Sequence, residues 1–244
     1  MKKIFILCIL TISLFSKEVP SLLIPLYSYP SKWNEYIDKF ELIKNKKIDT
    51  YAIINPQNGP NNSIDPIYLK GINLLKKYNI KVIGYVHTQY GKRNPYKIKE
   101  DIYKWSEFYQ DAGVSGIFFD ETSTNIKYLN KYKDLIKYTK SLGLDFNILN
   151  AGYTTAQEYI DLNLANIVIT YENSQEAWEN SFPKQINKAS ENTKLSVLLH
   201  TMKNKNFHKA LNKSKQRGFD YIYFTEDTMP NPWDDLSKYL LRVF

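Results

Sequence analysis

The apolar segment Gly116–Phe119 is followed at once by two acids, Asp120 and Glu121. A strand buried on both faces excludes carboxylates, so acids at its exit point to chemistry there. Other apolar runs end the same way. Tyr27 and Tyr29 close the first, Asn55 and Gln57 the second, His87 and Tyr90 the third, and Asn150 the fifth. Tyr171 and Glu172 close the sixth, His200 the seventh, and Glu226 and Asp227 the eighth. An acidic, amide-rich and aromatic set of this kind suits glycoside hydrolysis. That reaction uses one carboxylate as nucleophile or base and a second, kept protonated, as acid. Neighbours along an extended strand point to opposite sides, so Asp120 and Glu121 are not expected to face one reacting atom together. The second catalytic acid is therefore sought on another strand, and Glu172 is the candidate. Glu226 and Asp227 have a similar address, but "TEDTMPNPWDD" also reads as a polar loop capping a last helix. His87 and His200 read as hydrogen-bonding residues; no HxH, HxxxH or CxxC spacing is present, so neither a metal nor a cofactor is expected.

Apolar runs that must carry these residues alternate with helical patterns from residue 20 onward. The runs are "SLLIPLYSYP", "TYAIINP", "KVIGYVHT", "GVSGIFFDE", "LDFNILN", "NIVITYE", "KLSVLLH" and "YIYFTED". Between them, Tyr68, Ile72, Leu75 and Tyr78 share a helical face, as do Ile98, Ile102, Trp105 and Phe108, and then Leu129, Tyr132, Leu135 and Leu142. A short helix is expected around Tyr159 and another segment around Trp178. A further stripe is Phe207, Ala210, Leu211 and Ser214, and a final helix is expected near Leu236 to Leu240. Asp65 with Pro66, and Gly143, supply a start and a stop signal. Eight runs separated by helices predict an α/β fold, a single (β/α)8 TIM barrel, whose chemistry sits at the C-terminal ends of its strands. A doubly wound open sheet is disfavoured because the first strand ends "YSYPSKW", with no glycine-rich turn.

The first residues, "MKKIFILCILTISLFSKE", have two lysines, an apolar run and a small residue before charge, the pattern of a secretory signal peptide. We assign residues 1–16 to it and 17–244 to the barrel domain. The expected location is secreted or periplasmic, with no stable membrane insertion after cleavage. The one cysteine, Cys8, leaves with the signal, so the core alone must hold the fold. The formal charge of +8 falls to +6 without Lys2 and Lys3, and the lysines are scattered instead of clustered. No nucleic-acid partner is expected, and the protein is expected to be a monomer. Twenty tyrosines and four tryptophans give ample surfaces for stacking on sugar rings.

The motifs "IPLYSYP", "IINPQNGP", "DPIYLKGI", "VIGYVHTQYGKR", "GIFFDE" and "TYEN" occur in that order between residues 24 and 173. With them the chain resembles the spherulin-4 family (spherulation-specific family 4), of which the most specific are "IGYVHTQYG" and "GIFFDE". The resemblance implies a secreted (β/α)8 hydrolase of the endo-α-1,4-N-acetylgalactosaminidase type. Its substrate would be an exopolysaccharide, as in a biofilm matrix, containing α-1,4-linked N-acetylgalactosamine or galactosamine, such as galactosaminogalactan. It implies a retaining mechanism with Asp120 as nucleophile, Glu172 as general acid/base and Glu121 shaping the site. Tyr27, Asn55, His87, Tyr90 and Asn150 are the expected substrate-binding residues, with Tyr27, Tyr90 and Trp178 as stacking surfaces. One departure is "LNAGY" at 149–153, where family members often carry proline after the asparagine; it bears on the subsite near the fifth strand. A catalytically inactive carbohydrate-binding barrel would keep the aromatic cup without needing both acids. A polysaccharide lyase would need a cationic cup, and Arg93 is the only arginine near a strand end.

Overall fold

Each of the eight apolar runs forms a strand, and in the computed structural model, which describes residues 20–243, the strands close into a parallel barrel in chain order. They are β1 (Ser21–Pro25), β2 (Thr50–Ile54), β3 (Lys81–His87), β4 (Val114–Asp120), β5 (Phe146–Asn150), β6 (Ile167–Ser174), β7 (Lys194–His200) and β8 (Tyr221–Phe224). The helices between them are α1 (Ile37–Asn45), α2 (Pro66–Lys77), α3 (Pro95–Tyr109), α4 (Leu129–Ser141), α5 (Glu158–Asp161), α6 (Gln175–Asn180) and α7 (Phe207–Gln216). The TIM-barrel expectation holds. The signal-peptide assignment, residues 1–16, lies outside the described residues.

The helices begin where the side chains say they should. Asp65 accepts from the Ile67 N–H at 2.8 Å and Pro66 takes the first helical position of α2; Asn94 and Pro95 do the same for α3. Their apolar stripes are buried against the strands. In α3, however, Tyr109 completes the buried face while Phe108 is only partly covered. The expected final helix does not form. Residues 225–239 run as turns that end in a 3-10 segment, Leu240–Val243, because Asn231 and Asp235 satisfy local backbone and side-chain donors instead. Among the described residues, no helix is long and apolar enough to cross a membrane.

Two register shifts interrupt the pairing, one midway along β6 and one at the start of β4. In β6, Ile169 pairs with Ser196 and Tyr171 with Val197, so Thr170 is an extra residue, and beyond it the strand continues to Ser174. In β4, Val114 pairs with Val82 and Ile117 with Gly84. Such bulges re-aim the side chains that follow them. The lower end is closed differently. Asp49 accepts from Lys81 at 2.7 Å and from the Tyr221 hydroxyl, and Tyr51 stacks on Phe146 with centroids 4.0 Å apart.

The tightest link between shell and barrel is Trp105 of α3, fully buried, which lies on β3 and donates from Nε1 to the Tyr85 carbonyl at 2.8 Å. Gly84 permits this, because a Cβ there would come within 2.4 Å of the indole. Gly84→Ala therefore forces the indole or the strand to move, and we expect a loss of about 3 kcal/mol. The measurement is urea unfolding, where the midpoint should fall with its slope unchanged.

Candidate active site

The upper ends of the strands surround a cup of about 530 Å³, within the ordinary range for small-ligand sites. Asp120, Glu121, Asn150 and Glu172 line it, with Tyr90 and His200 on the walls and the segment Met229–Trp233 along one side. At its centre, the Asn150 side-chain nitrogen donates to Asp120 Oδ1 at 2.8 Å and to Glu172 Oε2 at 2.7 Å. Two bonds of that length to one nitrogen hold these oxygens no more than about 5.5 Å apart. The amide cannot be turned round, because Asn150 Oδ1 accepts from the Gly152 N–H at 3.0 Å. Ala151, where the chain departs from the "asparagine-proline" motif, donates its own N–H to Ile169, a bond proline cannot make.

The two acids differ in their other partners. Asp120 accepts from the Tyr85 hydroxyl at 2.7 Å and from the Glu121 N–H at 2.8 Å, in addition to Asn150. Burial raises its pKa, and these three donors oppose the rise. Glu172 accepts from Asn150 and, more weakly, from Trp233 Nε1 at 3.2 Å. Burial first and the negative charge of Asp120 second push Glu172 up to about 7. At neutral pH the pair thus holds one proton readily, and the anion with more hydrogen-bond donors is Asp120.

Glu121 sits differently from the expectation. The strand ends at Asp120, and Glu121 takes a left-handed backbone with φ of 51°. Leaving the extended conformation lets both acids line the cup instead of pointing apart, and it aims the Glu121 N–H back at Asp120. The Glu121 carboxylate accepts from the Gln89 N–H at 3.1 Å and lies 4.0 Å from His87 Nδ1.

Of the five expected substrate-binding residues, Tyr90 and Asn150 line the cup and the other three do not. Tyr27 lies close by, edge-on to Tyr85 at 5.7 Å, its hydroxyl pushed up by burial and by the charge of Asp120. His87 stands behind Glu121; burial, then Arg93, push its imidazole below the usual value, favouring the neutral form. Asn55 turns to its own loop and accepts from the Gly59 N–H. Trp178 is not a stacking surface. It is 1% exposed, packed outside β6 against Tyr171 and Phe182, because the extra residue in β6 turns Tyr171 outward and Glu172 inward. Glu226 accepts from the Ser237 hydroxyl and the Lys238 N–H, so it fastens the terminal segment. Asp227, beside it, does not line the cup. His200 is on the cup wall, edge-on to Trp233. Among the described residues, no group of three or more histidine, cysteine or acidic side chains is placed to hold a metal.

Two contributors were missed in the sequence. Tyr85 lies two residues before His87, on the same side of β3, a spacing that could have flagged it. Trp233 lies in a loop read only as capping.

The Trp233–Glu172 contact makes Glu172 visible. Tryptophan emission should change with a midpoint near pH 7, and Glu172→Gln should abolish that transition while Trp178→Phe leaves it. The same shift sets a stability trend. With a folded pKa near 7 against 4.5 unfolded, the folded state binds the proton more tightly, so stability falls as pH rises from 4.5 through 7. Glu172→Gln should thus be more stable than the unmodified protein at pH 8, by about 3 kcal/mol at most, with no gain near pH 4.5. Thermal unfolding at the two pH values measures the difference.

The sequence matches spherulation-specific family 4 over residues 21–244. It is 31% identical over 195 residues to Spherulin-4 of Physarum polycephalum, an alignment covering 76% of this chain and 57% of that protein. The chain thus spans little more than half the length of that relative. Among solved structures, it superimposes on Aspergillus clavatus Sph3, determined in complex with GalNAc. The TM-score is 0.79 at 23% identity, covering 93% of this chain and 97% of Sph3, which supports the same fold. With the family match running from the first strand to the last residue, the chain belongs to spherulation-specific family 4.

Proposed function

We propose that the protein is a secreted glycoside hydrolase that cleaves exopolysaccharide containing α-1,4-linked N-acetylgalactosamine or galactosamine, with retention at the anomeric carbon. The observation that carries this reading is the single Asn150 nitrogen binding Asp120 and Glu172 together, with their oxygens within about 5.5 Å. That upper bound is compatible with the roughly 5 to 5.5 Å of retaining enzymes and is too small for the water that inverting enzymes place between their acids. The choice of sugar draws on family membership and on the GalNAc bound to Sph3.

In the first step, protonated Glu172 gives its proton to the glycosidic oxygen. Asp120 attacks the anomeric carbon as the carbon–oxygen bond breaks, leaving a glycosyl ester on Asp120. In the second, Glu172, now a carboxylate, takes a proton from water, whose oxygen displaces Asp120 and restores both groups. In an α-linked sugar the 2-acetamido group is cis to the leaving oxygen and cannot attack from the opposite face, so the nucleophile must come from the protein. Glu121 orients the site through its backbone N–H to Asp120. The signal peptide of residues 1–16, the domain of 17–244 and a monomeric state belong to the same proposal.

Incubation with α-1,4-linked galactosaminoglycan should release new reducing ends, first as the α anomer in a proton NMR time course. Glu172→Gln should lower kcat by about 10² to 10⁴, and Asp120→Asn should be at least as damaging. The unmodified enzyme should lose activity as pH rises through about 7, as Glu172 gives up the proton the first step needs. Binding without cleavage would indicate a carbohydrate-binding barrel. Cleavage that survives both substitutions would overturn the assigned roles.

A further inference from the structure

A second concavity, of about 580 Å³, opens beside the cup between the first turns of α3 and α4. It is lined by Gly91, Pro95, Tyr96, Tyr128, Lys131 and Asp134, among others. Neither the barrel core nor the proposed chemistry uses it. Tyr96 is 81% exposed and, among the described residues, packs on no other ring, so it contributes little to the fold while presenting a free aromatic face. Tyr128 forms a wall, its ring pressed so closely on Gly91 that a Cβ there would come within 2.6 Å.

The cleft and the cup are separate concavities that meet at neighbouring residues of one loop. Tyr90, 59% exposed, lines the cup, and the next residue, Gly91, lines the cleft. This junction is held rigidly although Gln89, Tyr90 and Gly91 all have positive φ. The Tyr90 N–H donates to the Glu121 carbonyl at 2.7 Å, and the Gly91 N–H to Thr88. Lys131 of α4 donates to the carbonyls of Gly91 and Arg93, and Arg93 pairs with Asp101 at 2.6 Å. Strain of this kind persists only where its surroundings over-determine it, and here it fixes one exposed tyrosine between two concavities.

We propose that the cleft is a distal subsite for N-acetylated, neutral stretches of the same glycan chain, which leaves the cup over Tyr90 and stacks a sugar ring on Tyr96. The mixture of one carboxylate, Asp134, with the Lys99 ammonium, and with Lys131 already engaged by the Gly91 and Arg93 carbonyls, suits hydroxyl and amide groups better than a polymer of one charge. The ligand choice rests on the carbohydrate reading of the cup, and the consequence is that the enzyme engages internal stretches of a polymer. A disaccharide would fill the cup alone.

The test compares kcat and KM on α-1,4-linked N-acetylgalactosamine oligomers from disaccharide to decasaccharide for the unmodified protein, Tyr96→Ala and Tyr96→Trp. Tyr96→Ala should raise KM on the longest oligomers about tenfold, the size of one aromatic stacking contact. It should leave kcat and disaccharide turnover unchanged, and Tyr96→Trp should restore the KM. In parallel, binding of the decasaccharide to Glu172→Gln and to Glu172→Gln with Tyr96→Ala is measured by calorimetry. A KM that does not depend on Tyr96, or a loss equal on short and long oligomers, overturns the cleft while the reading of the cup stands. Tyr96-dependent binding by a protein that cleaves none of the oligomers upholds the cleft and overturns the hydrolase. Neither binding nor cleavage overturns both.

Discussion

The upper half of the barrel is organised around one amide, Asn150, whose two N–H bonds go to two different carboxylates. Two unit charges about 5 Å apart repel by roughly 3 kcal/mol even at an effective dielectric near 20. Such a pair is tolerable only if it is hydrogen-bonded and if one member can hold a proton. Asn150 meets the first condition, and its own orientation is secured by Gly152 on the side chain and by the Thr122 N–H on the backbone carbonyl. The ends of β4, β5 and β6 are thereby fastened together at the point where the acids emerge.

What separates the acids chemically is the set of partners beyond Asn150, supplied from distant parts of the chain. Asp120 is held by Tyr85, which is anchored through its carbonyl by Trp105 of α3, and the close approach of that indole depends on Gly84. Glu172 is held by Trp233, whose carbonyl accepts from the Tyr27 N–H after β1. A hydroxyl and a backbone N–H favour the charged form of Asp120 more than one long indole contact favours that of Glu172. The difference in affinity for a proton, which acid/base chemistry requires, therefore arises from packing between the barrel and its shell.

The eight strands were legible because strands buried on both faces leave continuous apolar runs, and the polar residue closing each run marks the functional end of a barrel. Asp120, Glu121, Glu172, Asn150 and Tyr90 were found by that rule, and all five line the cup. The rule gives an address but no direction. It set Asn55 and His87 in the cup, because whether a strand-end side chain points in, out or along its own loop depends on bulges and on single left-handed residues; Trp178, expected as a stacking surface, lies on α6 behind the strand. The extra residue in β6 and the turn at Glu121 follow from register and φ, which no periodicity reveals. Trp233 was hidden for a different reason: its loop is rich in turn residues, and its contact with Glu172 spans 61 positions.

The direction of Glu172 has a physical origin on the opposite side of the strand. Behind β6, Tyr171 packs on Trp178 and Phe182, and the Arg217 guanidinium lies over both Trp178 and Phe182. Burying side chains as large as Tyr171 and Trp178 contributes about 4 to 6 kcal/mol each, taking 150 to 250 Å² at 25 cal/mol per Å², less about 1 to 3 kcal/mol each because the Tyr171 hydroxyl and the Trp178 Nε1 are buried without a hydrogen-bond partner. Raising a carboxyl from 4.5 to about 7 costs about 3 kcal/mol at alkaline pH. Because neighbours in a strand face opposite sides, Tyr171 cannot take its place in that stack without turning Glu172 into the cup. The apolar packing outside the barrel thus opposes any turning of the acid out of an environment it would otherwise avoid, and that environment gives it a proton to donate near neutral pH.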